Sequence, residues 1–150
     1  MNVDGVPYRP IWPEGDGTGV GIIDQTRLPH RFETVRLTSL ADAAHAIRAM
    51  LVRGAPLIGA TAAYGMWLAL RADASDAALA EAAETLVATR PTAVNLRWAV
   101  DDLRATVSPL PEGERAAAAF RRAGDICEAD VATNAAIGRH GLEEFKRIYA

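Results

Sequence analysis

Alanine first occurs at Ala41 and is abundant from there to the end of the 150-residue chain. No other feature constrains the fold as strongly. Alanine is the best helix former, whereas the Gly-, Pro- and β-branched residues before it favour turns and strands. Residues 1–38 therefore read as a small β region and residues 39–150 as a helical region. The expected fold class is α+β, mostly helical: a small N-terminal antiparallel β-meander followed by a bundle of about five helices. A chain of this length buries one sizeable core.

In the first region, "PYRPIWPEGDGTGVGIID" reads as a short strand, a Gly/Asp-rich turn and a second strand ending near Asp24. Pro10 and Pro13 confine the first of these to a sheet edge. "RFETVRLT" alternates Phe32, Thr34 and Arg36 against Glu33, Val35 and Leu37, as a third strand would.

Ser39 opens the first helix, with Asp42 completing a capping arrangement. Leu40, Ala44, Ile47, Met50 and Leu51 recur at helical spacing, and Gly54 is placed as a left-handed stop. Pro56 suits the first turn of a second helix, which runs to about Leu70 and is apolar on most sides. A third helix buries Leu79, Ala82, Ala83 and Leu86. Thr92 is expected to cap a fourth, with Leu96, Ala99, Val100 and Leu103 inward. After "SPLPEGE" a long helix extends from about Glu112 to Arg139, anchored by Phe120, Ala123, Ile126 and Ile137. Gly141 is its expected stop, and the last nine residues add a short helix.

The net charge is -3 and no basic block stands out, so a nucleic-acid partner is not expected. The single cysteine, Cys127, rules out an internal disulfide and fits a reducing, cytoplasmic setting. No apolar run reaches the ~20 residues of a membrane helix, so no membrane partner is expected. His30, His45 and His140 have no metal-ligand spacing, and no metal or cofactor is expected. Carboxylates beside Cys127 disfavour its thiolate. Asp24, at a strand end, reads as a turn cap.

"VRGAPLIGATAAYG" is the most informative stretch. A loop of Arg53, Gly54 and Ala55 feeds directly into a helix whose first backbone N–H groups lack internal partners. Such an end attracts anions, Gly54 allows close backbone approach, and Arg53 supplies a bidentate phosphate grip. Read by itself, the stretch is equally an ordinary helix–loop–helix with a Gly cap, and that is the more economical account. Arg90, in "TRPTAVNLRW", stands before a second helix start and is open to the same two readings.

"IIDQTRLP", "AIRAMLVRGAPLIGATAAYG", "RPTAVNLRWA" and "ATNAAIGRHG" follow one another in the order and spacing of the S-methyl-5-thioribose-1-phosphate isomerases of methionine salvage. The chain resembles this family from about Tyr8 to Gly141. Related groups are the regulatory subunits of a eukaryotic initiation-factor exchange complex and the ribose-bisphosphate isomerases. The resemblance implies conversion of an aldose 1-phosphate, methylthioribose 1-phosphate, into the ketose methylthioribulose 1-phosphate, without cofactor or metal. It implies that Arg53, Gly54, Ala55 and Arg90 bind substrate, and that the enzyme is a homodimer.

It also implies a Rossmann-like catalytic part after the "IGRHG" region, bearing a cysteine in a "THCN"-type motif and an aspartate. Neither motif is present, and Cys127 precedes the region that the family cysteine follows. The expectation is therefore an N-terminal, substrate-binding portion with no catalytic residue of its own and no turnover alone. Phosphate on the anomeric oxygen blocks simple ring opening, so the isomerisation needs an acid to assist it. The alternatives are a non-catalytic sugar-phosphate-binding or regulatory module, and a related ribose or deoxyribose phosphate isomerase.

Overall fold

A computed structural model describes residues 2–149. The chain begins with a two-residue hairpin, β1 (Asn2–Val3) against β2 (Val6–Pro7). Asp4 and Gly5 both take positive φ, 51° and 82°, which is the turn geometry that an Asp-Gly pair selects. A three-stranded antiparallel sheet follows, in the order β3 (Ile11–Pro13), β4 (Val20–Ile23), β5 (Thr34–Leu37). β3 lies at an edge, as its prolines require. Every residue of central β4 is buried.

Five helices complete the fold: α1 (Leu40–Arg48), α2 (Ala55–Ala72), α3 (Asp76–Thr89), α4 (Val94–Val107) and α5 (Glu112–Ile148). α2 is the axis. Every residue from Leu57 to Leu68 is buried, and the other four helices and β3 all pack on it. That explains why its sequence is apolar on every side. Tyr64 and Trp67 of α2 meet Phe120 of α5, with Trp67 and Phe120 ring centroids 4.9 Å apart. Sheet and helices share one core, in which Ile11, Val20, Ile22 and Leu37 join the helical apolar residues.

Several local expectations are corrected. α1 stops at Arg48, not at Gly54. The Leu51 N–H reaches back to the Ala46 carbonyl at 2.9 Å and the Met50 N–H to that of Ile47 at 3.3 Å, with Met50 at φ 60°. This is a Schellman stop with methionine in the left-handed position that glycine usually takes. Gly54 does have positive φ, 99°, but as the N-cap of α2. Thr92 does not cap α4; Ala93 holds that position, with no side-chain bond. Gly141 does not end α5, which continues to Ile148 without a separate final helix. Ile137 is no anchor, being 65 % exposed.

Candidate functional site

The links between α2 and α3 (residues 73–75) and between α3 and α4 (residues 90–93) are short. Each reverses the chain, so α2 and α4 run in the same direction and start at the same end of the bundle. Their first turns touch closely. A methyl group on Gly59 would lie 2.9 Å from the Asn95 carbonyl oxygen. The absence of a side chain at Gly59 is what lets the two helix mouths stand side by side.

These two mouths differ from the other three. α1 is capped by the Ser39 hydroxyl and has Asp42 in its first turn. α3 is capped by Ser75 and has Asp76 there, and α5 has Glu112 and Glu114. α2 and α4 have neither a capping side chain nor a first-turn acid. Their free N–H groups and dipole ends are therefore unneutralised, and each is preceded by an arginine.

Arg53, Gly54 and Ala55 are exposed at the mouth of α2. Arg53 enters no ion pair among the described residues. Arg90 is half-buried and is the C-cap of α3, ahead of α4 rather than within its start. Its carbonyl accepts the Ala93 N–H at 3.0 Å, which folds the connecting loop.

A cleft of ≈ 250 Å³ begins at Pro56 and Leu57, immediately after Ala55, and continues between α4 and the middle of α5. A second hollow follows Arg90, lined by Pro91, Thr92, Ala93 and Val94. Trp98 lines both. The structure thus brings the neighbourhoods of Arg53 and Arg90 to one end of the molecule, on either side of one indole. Neither arginine lines the cleft itself. Trp98 was not singled out by sequence reasoning; the signal was a large aromatic beside the inward positions Leu96, Ala99 and Val100.

The other candidates have structural roles. Asp24 accepts the Thr26 N–H at 2.9 Å and its hydroxyl at 2.6 Å, a turn cap as expected. Cys127 faces the Tyr64 hydroxyl beneath the exposed Arg9–Glu128 ion pair. Burial above all, with Glu128 and Asp130 adding to it, pushes the Cys127 thiol up to about 11. It is protonated at neutral pH and unsuited to nucleophilic work. No group of three His, Cys, Asp or Glu among the described residues is placed to hold a metal ion. Among the described residues no helix is long and apolar enough to cross a membrane.

Fold and site together define a helical bundle with a small β cap and paired open helix starts. The model of the initiation factor 2 subunit family matches residues 51–148, and the chain belongs to that family. It is 62% identical over 141 residues to the methylthioribose-1-phosphate isomerase of Paramagnetospirillum magneticum, covering 94% of this chain and 39% of that protein. It is 61% identical over 142 residues to the "uncharacterized protein in petC 3'region" of Rhodospirillum rubrum, covering 95% and 77% of the two. Among solved structures, 5-methylthioribose 1-phosphate isomerase from Pyrococcus horikoshii matches with a TM-score of 0.82 at 33% identity, over 90% of this chain and 40% of that one. The delta subunit of translation initiation factor eIF-2B from A. fulgidus matches with a TM-score of 0.76 at 33% identity, over 83% and 38%. The chain spans about two-fifths of the length of the isomerases that it matches.

Proposed function

We propose that this chain binds a sugar 1-phosphate at the paired mouths of α2 and α4 and serves the isomerisation of methylthioribose 1-phosphate to methylthioribulose 1-phosphate. One observation carries the reading. The two helices that lack both a capping side chain and a first-turn acid are the two preceded by Arg53 and Arg90, and they start side by side. Backbone N–H groups and the helix dipoles favour a dianion there, and the flanking guanidiniums add charge-assisted bonds. Arg53, Gly54, Ala55 and Arg90 are the proposed substrate-binding residues. Their part is binding and orientation, with no catalytic residue assigned among them. A cytoplasmic homodimer in methionine salvage is part of the same reading.

The two solved structures are equally identical to this chain, so fold likeness alone does not separate an isomerase from a regulatory subunit. The relatives at about 60% identity named as isomerases favour the enzyme. Isothermal titration tests the reading. Methylthioribose 1-phosphate is expected to bind the chain without being turned over, and Arg53→Ala and Arg90→Ala are each expected to weaken binding by about tenfold or more. Unchanged affinity in both variants would remove the helix mouths from the site.

A further inference from the structure

We infer that Asp24 is a positioning residue for Arg53: its carboxylate fixes the turn after β4, and that turn sets where the backbone presents Arg53 beside the mouth of α2. The inference rests on the sugar-phosphate reading above and deepens it by naming what aims Arg53.

Arg53 is exposed and enters no ion pair among the described residues, so its direction is inherited from its backbone. On its far side stands Gly54, an N-cap without a side-chain bond. On its near side the chain is pinned. The Leu51 N–H donates to the Ala46 carbonyl at 2.9 Å, and the Leu51 carbonyl accepts the Gln25 N–H at 2.9 Å. Val52, the one residue between Leu51 and Arg53, is fully buried. The Ala46 bond lies within the helical region. The Gln25 bond comes from the end of β4 and ties the sheet to the segment that carries Arg53.

Asp24 governs that second bond. Its Oδ1 accepts both the Thr26 N–H at 2.9 Å and the Thr26 hydroxyl at 2.6 Å. The carboxylate thus bridges Gln25 and holds its N–H towards Leu51. The Asp24 N–H donates to the Glu33 carbonyl at 2.9 Å, which anchors the turn to the approach of β5. Asp24 is 8 % exposed, one of three buried polar or charged residues among those described. Burying a carboxylate is costly unless it is hydrogen-bonded, and the Thr26 bonds offset that cost. A turn cap at the surface would close the same turn; the buried one adds a rigid link to the Leu51–Arg53 segment. A ligand that meets a preorganised arginine does not have to order it, so loosening the support weakens binding although the support touches no ligand.

Isothermal titration of the full chain with S-methyl-5-thioribose 1-phosphate tests this, the fitted stoichiometry counting folded molecules so that affinity is read for them alone. Asp24→Ala is expected to weaken binding about tenfold. Asp24→Asn keeps the acceptor oxygen and removes the charge, and is expected to stay within about twofold of the parent. In an Arg53→Ala background, Asp24→Ala is expected to change affinity by less than about twofold, because the residue that it positions is gone. Should Asp24→Ala fail to fold, Thr26→Val removes one of the two bonds at an exposed residue. It is expected to weaken binding about threefold, again only where Arg53 is present. Parental affinity in folded Asp24→Ala, or in Thr26→Val where Asp24→Ala does not fold, overturns the positioning role and leaves the sugar-phosphate reading standing. So does an equal loss with and without Arg53, or a loss in Asp24→Asn as large as in Asp24→Ala. If the parent does not bind the sugar phosphate, or Arg53→Ala binds it as tightly as the parent, the reading itself fails at Arg53 and the positioning role falls with it.

Discussion

The Asp42 carboxylate accepts the backbone N–H groups of Thr38 at 2.9 Å and Ser39 at 3.0 Å, while the Ser39 hydroxyl accepts the Asp42 N–H at 3.2 Å. These bonds, led by that from Thr38, hold the Asp42 carboxyl below the usual carboxylate range. The sign of its pH effect follows. A folded-state value below the unfolded one adds stability that is fully present above the unfolded value, near ~4. That stability is lost as pH falls through the folded value. Asp42→Ala is expected to cost about 1 kcal/mol at pH 7, and the gap between variant and parent is expected to narrow below about pH 4. Urea unfolding at pH 7 and pH 3 measures it; an equal gap at both would show that Asp42 acts through something other than its charge. Met50 teaches a different lesson at this scale. Its left-handed backbone was hidden in the sequence because the stop expected there is glycine, and the nearest glycine, Gly54, has another task.

At the scale of elements, two helical glycines make opposite predictions. A methyl group on Gly59 meets the Asn95 carbonyl at 2.9 Å, whereas one on Gly138 meets nothing within 4 Å. Gly59→Ala is expected to destabilise the fold by about 1–3 kcal/mol by forcing α2 off α4. Gly138→Ala is expected to stabilise α5 by about 0.5–1 kcal/mol, since only its helix propensity changes. Thermal denaturation of both variants reads the difference, and shifts of the same sign would contradict the close crossing. The helices were legible in the sequence because apolar spacing and Pro or Gly punctuation are local signals. The third strand of the meander was legible from the alternation in "RFETVRLT", and the first two from the Gly/Asp-rich turn between them, since central β4 is buried throughout and does not alternate. The hairpin of β1 and β2 was missed although its Asp4-Gly5 turn was in plain view, because strands of two residues have no periodicity to read. Thr92 misled for a related reason: a capping residue type marks a helix start only to within a residue or so.

In the whole molecule, Arg115 closes the end of the bundle opposite the paired mouths. It is 5 % exposed. Its guanidinium donates to the carbonyls of Leu110 at 3.0 Å, Ala74 at 2.8 Å and Ser108 at 3.4 Å, and it pairs with the exposed Asp76 at 2.7 Å. One side chain thereby satisfies carbonyls in both the α2–α3 and the α4–α5 connections. Arg115→Met keeps the aliphatic volume and orphans those acceptors, so a loss of about 3 kcal/mol is expected in equilibrium unfolding. Asp76→Asn is expected to change little, its side chain being 84% exposed. Nothing in "GERAAAAF" announced this role, because the acceptors lie in loops that only the fold assembles. The candidate site was half legible on the same grounds. Arg53-Gly54-Ala55 and Arg90 stood out as loop-to-helix motifs, but their common end and the shared Trp98 depend on the direction of α2 and α4.

The length of α5 has its own consequence. Its last buried residue is Ile126, and no described residue from Cys127 to Ile148 is buried. Contacts with the rest of the chain continue to Thr133, which lines the cleft, so at 1.5 Å per residue the 15 residues from 134 to 148 form a rod about 22 Å long beyond the bundle. A helix without tertiary contacts holds its backbone bonds only by propagation from the part that is anchored. Amide hydrogen exchange of the chain by itself should therefore be graded along one continuous helix: slow through Ile126, then progressively faster towards Ile148. A uniform rate along α5 would mean that its outer half is clamped by something in solution. Opening in that half would be a zipper running inward from one end, and Ile126 is where it would stop.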